Sequence, residues 1–448
     1  MLDFPQRYSR KFRETVSDTF RSIRHRNYRL FFFGQCISLI GTWLQNTALS
    51  WLVYSLTRDS RALGIMSFLG AVPVLILGAY AGTVADEYPK RRILILTQSF
   101  AGFFAILLAV FVWVGYTEIW MLGLINLLLG IVIAFDLPTR QAFVVEMVGR
   151  EDLTNAVALN SAIFNAARLL GPALGAMIIS AISIEMCFFL NGISFLAVIV
   201  GLWMMKLPPP ALAAEKKVRE MSRLKAMREG VDYLYQIPNY RALMTLVIAM
   251  TLFAWSYTVH LPVIAVEMLH GDSSTYGALL SANGLGALIA ALTQAAFGSK
   301  VRPRFMVYLA IAVFVCSITL IPVAASFMPV LILLGCAGWS IITFFITANS
   351  TIQRYVPDEL RGRVMGIYSL SFAGLFPFGS LLAGFLAHEY SIGLSLWVDA
   401  IVLSIVAASA FLFIRKVPSL STVALETGSR TISVELLQER SAAINNHQ

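Results

Sequence analysis

Twelve hydrophobic stretches, each about a bilayer thick, run from Tyr28 to Ile414 with short breaks between them. A helix rises about 1.5 Å per residue, so roughly 20 apolar residues cross the ~30 Å of hydrocarbon in a membrane. Lipid offers no water to bond the backbone, so stretches of this kind must be helices. The chain is therefore expected to be an all-α membrane protein. Its spans fall near 28–55, 62–84, 93–115, 118–137, 156–181, 186–206, 241–267, 275–298, 304–326, 328–352, 363–387 and 391–414. Only 13% of the 448 residues are charged and 58% are hydrophobic. Soluble domains carry about a quarter charged residues, and the missing charge is what a lipid-facing surface requires.

The basic residues fall in alternate loops. Arg7 to Arg29 precede the first span, Lys90 to Arg92 follow the second, and Arg140 and Arg150 follow the fourth. A cluster from Lys206 to Arg241 follows the sixth, then come Lys300 to Arg304, and Arg354 to Arg363. The opposite loops hold only Arg58 and Arg61. Cytoplasmic loops collect Lys and Arg, so both termini are expected in the cytoplasm of a bacterial inner membrane, which requires an even number of spans. The net charge of +9 has this cause, and no nucleic-acid partner is implied; lipid is. No cleavable signal peptide is visible, and the first span is expected to direct insertion. Cys36, Cys187, Cys316 and Cys336 lie singly in apolar runs, without metal or disulfide spacing.

The longest interior break opens with Pro208, Pro209 and Pro210. Met221, Leu224, Met227, Val231 and Leu234 then recur at helical spacing among charges, the pattern of a surface-lying amphipathic helix or of a solvated linker helix. Five regions follow: a basic segment 1–27, a six-helix bundle 28–206, a central loop 207–238, a second six-helix bundle 239–414, and a polar tail 415–448. VGREDLTNAV between spans 4 and 5 pairs with VPDELRGRVM between spans 10 and 11. GPALGAMI in span 5 pairs with PFGSLLAGFL in span 11. Paired halves of this kind imply one cavity between them, open alternately to each side.

From about Arg24 to Arg415 the chain resembles the major facilitator superfamily of secondary transporters. After span 2 it reads GTVADEYPKRR. Gly82, Asp86, Lys90 and Arg91 match the superfamily's loop motif, while Glu87 stands for the usual Arg and Pro89 for the usual Gly. NYRLFFFGQCISLIGTWLQ and the run from AFDLPTRQAF to LLGPALG look like the bacterial exporters that include the enterobactin exporter and macrolide-efflux-like proteins. The resemblance implies that Asp86 closes the cytoplasmic side against the N-terminus of span 11, whose partial positive charge stabilises a carboxylate. With it the expected gate comprises Gly82, Lys90, Arg91, Arg140, Arg361, Arg363 and the antiporter-like Gly171, Pro172 and Gly175. Gly–Pro weakens a helical turn and lets helices approach closely.

Arg168, about a dozen residues into span 5, is the most unusual residue. An arginine at that depth costs about 2.5–3.5 kcal/mol on insertion scales, so it must face a cavity or a carboxylate. It binds an anionic or polar cargo group, serves as counter-ion to a titrating acid, or belongs to a static buried pair. Asn160 and Phe164 share its face. The resemblance places spans 1, 4, 7 and 10 around the cavity. Candidate cargo residues there are Gln35, Gln45, Asn46, Asn126, Trp255, Tyr257 and Asn349, with others expected to bond between helices. Asp136, Asp399 and His260 are the candidates for proton coupling. Neither a phosphate-binding Gly-Lys-Ser/Thr loop nor a catalytic or metal cluster occurs, so neither ATP hydrolysis, enzymatic chemistry nor a cofactor is expected. The expected function is export of a siderophore or hydrophobic drug-like molecule by proton antiport, as a monomer. Proton-coupled import of a nutrient or lipid, and a non-transporting sensor, are the alternatives.

Overall fold

A computed structural model describes residues 21–206, 223–298, 300–324 and 326–415. The expectations for residues 1–20, most of the central loop and the tail from 416 lie outside the described residues. The chain there is helical almost throughout. The first six long helices are α1 (Arg26–Thr57), α2 (Ser60–Glu87), α3 (Lys90–Val114), α4 (Ile119–Val148), α5 (Leu153–Ala181) and α6 (Ile184–Met204). A shorter α7 (Arg223–Gln236) precedes α8 (Pro238–Met268), α9 (Ser273–Phe297), α10 (Pro303–Leu320), α11 (Phe327–Tyr355), α12 (Asp358–Glu389) and α13 (Ile392–Arg415).

Eleven of these helices are long and apolar enough to cross a membrane by length and composition. α1 is outside that set. Its 32 residues give about 48 Å of helix, but Gln35, Ser38, Gln45 and Thr47 dilute the apolar run and are turned inward. Gln45 accepts from Asn191 on α6 at 2.8 Å, so the polar face is taken up in helix pairing.

The packing repeats with the chain. α1 lies against α5 and α6, α2 against α4, and α3 against α6. In the second half α8 lies against α12 and α13, α9 against α11, and α10 against α13. Two pairings cross between the halves, α2 with α12 and α5 with α9, and the internal symmetry exchanges them. Small residues allow the close approaches: a Cβ on Gly286 of α9 would lie 1.8 Å from the Gly335 carbonyl oxygen of α11.

Two helices differ from the sequence expectation. α4 continues through Pro138 to Val148, where a bend near residue 137 was expected. Asp136 thus sits well inside a helix rather than at its end. α8 is irregular, with π turns at Met250–Ala254 and Ile264–Met268 and a 3-10 stretch at Ser256–His260. Pro262 supplies no N–H, which removes a helical bond one turn back; Leu261 N–H bonds Thr258 O instead.

On the face carrying the basic loops, a 3-10 turn at Arg21–Arg24 docks on the α4–α5 connection. Arg21 and His25 both reach Asp152, His25 at 2.7 Å. The His25 hydrogen bond, with that of Arg21, holds the Asp152 carboxyl below its ordinary range. α7 lies against α12, where Arg363 pairs with Glu229.

Candidate functional site

The bundles meet along a seam that is closed on the face opposite the basic loops. At its outer end, Asp59 caps α2 by accepting from Arg61 N–H at 2.8 Å. His388 Nδ1, at the end of α12, lies 2.9 Å from Asp59 Oδ1. Burial pushes the Asp59 carboxyl up, but the Arg61 hydrogen bonds and the His388 and Arg61 charges outweigh it, leaving the group below its ordinary range. Arg61 also approaches Glu389 at 3.8 Å. Tyr54 donates to Glu267 at 2.5 Å, and Ser60 Oγ donates to the Gly384 carbonyl at 3.1 Å.

Deeper along the seam, Trp51 stacks on Tyr276 and Phe68 meets Phe378 edge-on. Backbones touch at two glycines: a Cβ on Gly64 would lie 2.8 Å from Ser380 O, and one on Gly284 3.0 Å from Arg168 O. The α2–α12 contact ends near Leu75 and Gly374. Beyond it, towards the basic face, a Cβ on Gly78 or Gly82 of α2, or on Gly362 or Gly366 of α12, would meet nothing within 4 Å. The helices have parted there, so the interior opens to the basic face.

Arg168 stands on α5 at its close contact with Gly284 of α9. It is 7% exposed. Its guanidinium lies over the Trp255 ring of α8 at 5.4 Å and donates to Asn283 Oδ1 of α9 at 3.0 Å. Asn283 Nδ2 in turn donates to the Tyr257 hydroxyl. Among the described residues no carboxylate pairs with it. A buried cation held by an amide and an aromatic face, without an anion, is costly unless something supplies the charge. Asn283 was not singled out in the sequence; its place between small residues in a hydrophobic run was the available signal.

One helical turn before Arg168, a cavity of about 370 Å³ opens in the first bundle, lined among others by Phe31, Gln35, Leu137, Arg140, Asn160 and Phe164. Phe164 meets Trp43 edge-on, and Asn160 accepts from the Tyr28 hydroxyl at 3.0 Å. Gln35 accepts from Arg140 at 2.6 Å, and Arg140 pairs with Asp136. Asp136 also accepts from Thr97 at 2.9 Å and Gln98 at 2.7 Å. All these partners belong to α1, α3 and α4, so the network braces one bundle. Asp136→Ala would leave Arg140 without its buried partner. The expected loss is about 1–3 kcal/mol of stability, read as a lowered melting temperature in detergent; an unchanged melting temperature would show the brace to be idle.

The other candidates disperse. Asn126 donates to the Met66 carbonyl of α2 at 2.6 Å, a bond between helices, as is that of Gln45. Asn46 is exposed on α1. Asn349 bonds Gln353 within α11. Trp255 sits in an aromatic cluster with Phe345 and Phe372. Gly171 and Gly175 bring α5 against Trp43, Leu44 and Thr47 of α1, while Pro172 O faces Gly277 of α9. At the basic face, Asp86 and Arg361 are exposed, Lys90 pairs with Glu146 at 2.5 Å, and Arg91 donates to the Trp203 carbonyl at 2.9 Å. His260 and Asp399 are buried inside the second bundle. His260 Nε2 lies 3.0 Å from Ser395 Oγ. Asp399 follows Ser395 by one turn, and its Oδ2 has no partner among the described residues.

Known proteins share this architecture. The structure of a bacterial homologue of the human lysosomal transporter Spinster, in an inward-facing and unoccupied conformation, superposes with a TM-score of 0.68 at 12% identity, covering 87% of this chain and 97% of that one. The nucleoside transporter NupG gives 0.66 at 13% identity, over 87% and 98%. In sequence, the staphyloferrin A transporter of Staphylococcus aureus is 27% identical over 81% of this chain and 90% of its own. The enterobactin exporter of Citrobacter koseri is 23% identical over 77% and 81%. Macrolide efflux protein A of Streptococcus pyogenes is 21% identical over 84% and 93%. A family model described as transmembrane secretion effector matches residues 17–444. With its two six-helix bundles and this match along nearly its whole length, the chain belongs to the transmembrane secretion effector family of the major facilitator superfamily.

Proposed function

We propose that this multi-pass transporter exports an anionic, amphipathic organic molecule from the cytoplasm, by alternating access and driven by an inward proton gradient. The observation that carries the reading is Arg168, a buried guanidinium without a carboxylate partner among the described residues, one helical turn beyond Phe164 on the wall of the first-bundle cavity. Positive loops favour the cytoplasmic side, so cargo enters from inside. Phe164, Trp43 and Trp255 offer aromatic surface beside the charge, which suits a molecule with a carboxylate or catecholate and a broad apolar body. The names of the relatives, siderophore and macrolide carriers, describe molecules of that size and mixed polarity. Asn160 and Gln35 serve as polar contacts on the cavity wall. Gln45 and Asn126 serve packing.

The closure of α2 on α12 at the basic face, with Gly82 and Asp86 at the contact, completes the cycle in the other state. One charge moving through about 100 mV yields roughly 2.3 kcal/mol, enough for roughly fiftyfold accumulation. Proton carriage falls in this reading to Asp399, whose Oδ2 has no partner among the described residues and which follows by one turn the Ser395 that meets His260; Asp136 is committed to its brace.

The test is transport of a carboxylate-bearing siderophore into everted membrane vesicles from cells producing the protein. An acid-inside gradient should drive uptake, a protonophore should abolish it, and Asp399→Asn should uncouple it. Accumulation in right-side-out vesicles under an inward proton gradient would establish the import alternative instead.

A further inference from the structure

The outer end of the seam carries an unbalanced set of charges. Asp59 at the α1–α2 turn, Glu267 at the end of α8 and Glu389 at the end of α12 supply three carboxylates. Arg58 and Arg61 supply two guanidiniums. Tyr54 and Tyr390 are the other titratable side chains that touch or line the patch, and His270 and Asp272 stand on the adjoining α8–α9 connection. With His388 neutral the set holds one negative charge too many; with His388 protonated it is balanced. Arg58, Glu267 and His388 also line a cavity of about 500 Å³ on this face, and the His388 side chain retains 34% of its exposure. Solvent on the outer side therefore reaches the imidazole.

We propose that His388 is a proton-binding site for protons arriving from the outer side, and that the bound proton latches the outer face shut through Asp59. The pairing spans the two bundles, 2.9 Å across, and exists only while the seam is closed there. A His–Asp contact is ionic only when the imidazole carries its proton, and histidine exchanges that proton near neutral pH. A proton held by the closed arrangement and released by the open one favours closure as pH falls. An acidic exterior thus returns the carrier to the state open to the basic face, where cargo is loaded. This deepens the exporter reading and depends on it only for which side is outside.

The test reads conformation without cargo, so it fails or succeeds independently of what is transported. Spin labels on Thr117→Cys and Ser326→Cys, on outer connections of the two bundles, report their separation in nanodiscs. Cys36, Cys187, Cys316 and Cys336 are replaced by Ala in that background. Between about pH 8 and pH 5.5, the short-distance population should grow by about two- to fivefold, the effect of a partly exposed ion pair. His388→Gln should abolish the response with the long distance favoured. His388→Lys, with a permanent charge, should favour the short distance at both pH values. A pH response that survives His388→Gln, a wild-type population that ignores pH, or a Lys variant that behaves like Gln would each overturn the proposal.

Discussion

Arg168→Ala should weaken binding of anionic cargo by about 10- to 100-fold while leaving membrane insertion intact. A charge-assisted hydrogen bond contributes roughly 1.5–3 kcal/mol, and every 1.4 kcal/mol is about tenfold in affinity. Insertion should improve if anything, because burying the guanidinium costs about 2.5–3.5 kcal/mol. The discriminating measurement uses a matched pair of cargo molecules, a free carboxylate and its neutral ester. Wild-type protein should prefer the acid, and Arg168→Ala should lose that preference by losing affinity for the acid alone. Arg168→Lys keeps the charge but neither the planar face that lies over Trp255 nor the fork that reaches Asn283. Its affinity should fall between the other two. If acid and ester weaken together in Arg168→Ala, the residue holds the α5–α8–α9 junction in shape and does not read cargo charge. If neither weakens, Arg168 has no part in recognition.

The apolar runs and alternating basic loops made the spans and their pairing into two halves legible, because lipid imposes both patterns on any crossing chain. Arg168 was legible for the same reason: a charge at that depth demands an explanation. Its environment was not, since Asn283, Trp255 and Tyr257 come from a half of the chain about a hundred residues away, and only the seam between bundles brings them together. The amides divided similarly. Gln35 and Asn160 line the cavity while Gln45 and Asn126 tie helices, and hydropathy treats all four alike. The Asp59–His388 contact was missed because the two residues stand in a short loop and a helix end, 329 positions apart, with no periodicity to mark them. The irregular course of α8 could have been read from Pro262, but the π turn before it packs against α12 and α13 and the one after it against α9, contacts that no local pattern marks.

Gly384→Val should stop the transport cycle by preventing the outer face from closing. A Cβ at Gly384 would lie 2.7 Å from Ser60 O and 3.1 Å from Gly64 N, and one at Gly64 only 2.8 Å from Ser380 O. These neighbours are backbone atoms of two long helices, so no side chain can swing aside. Overpacking a close contact costs about 1–3 kcal/mol, and a branched side chain against backbone belongs at the upper end. That cost applies only in the closed arrangement, so the balance between states should shift by roughly 5- to 150-fold towards an open outer face. Gly366→Val is the matched comparison on the same helix. Its Cβ would meet nothing within 4 Å, so it leaves the outer seal untouched, and by the symmetry of the bundles it should obstruct closure at the basic face instead. Impermeant thiol labelling at Phe378→Cys, beneath the seal, distinguishes the two. Labelling from outside should rise in Gly384→Val and fall in Gly366→Val, while both lose transport. Equal labelling in the two variants would mean that the α2–α12 contact is a fixed joint, and the bundles would have to exchange access by some movement other than rocking about this seam.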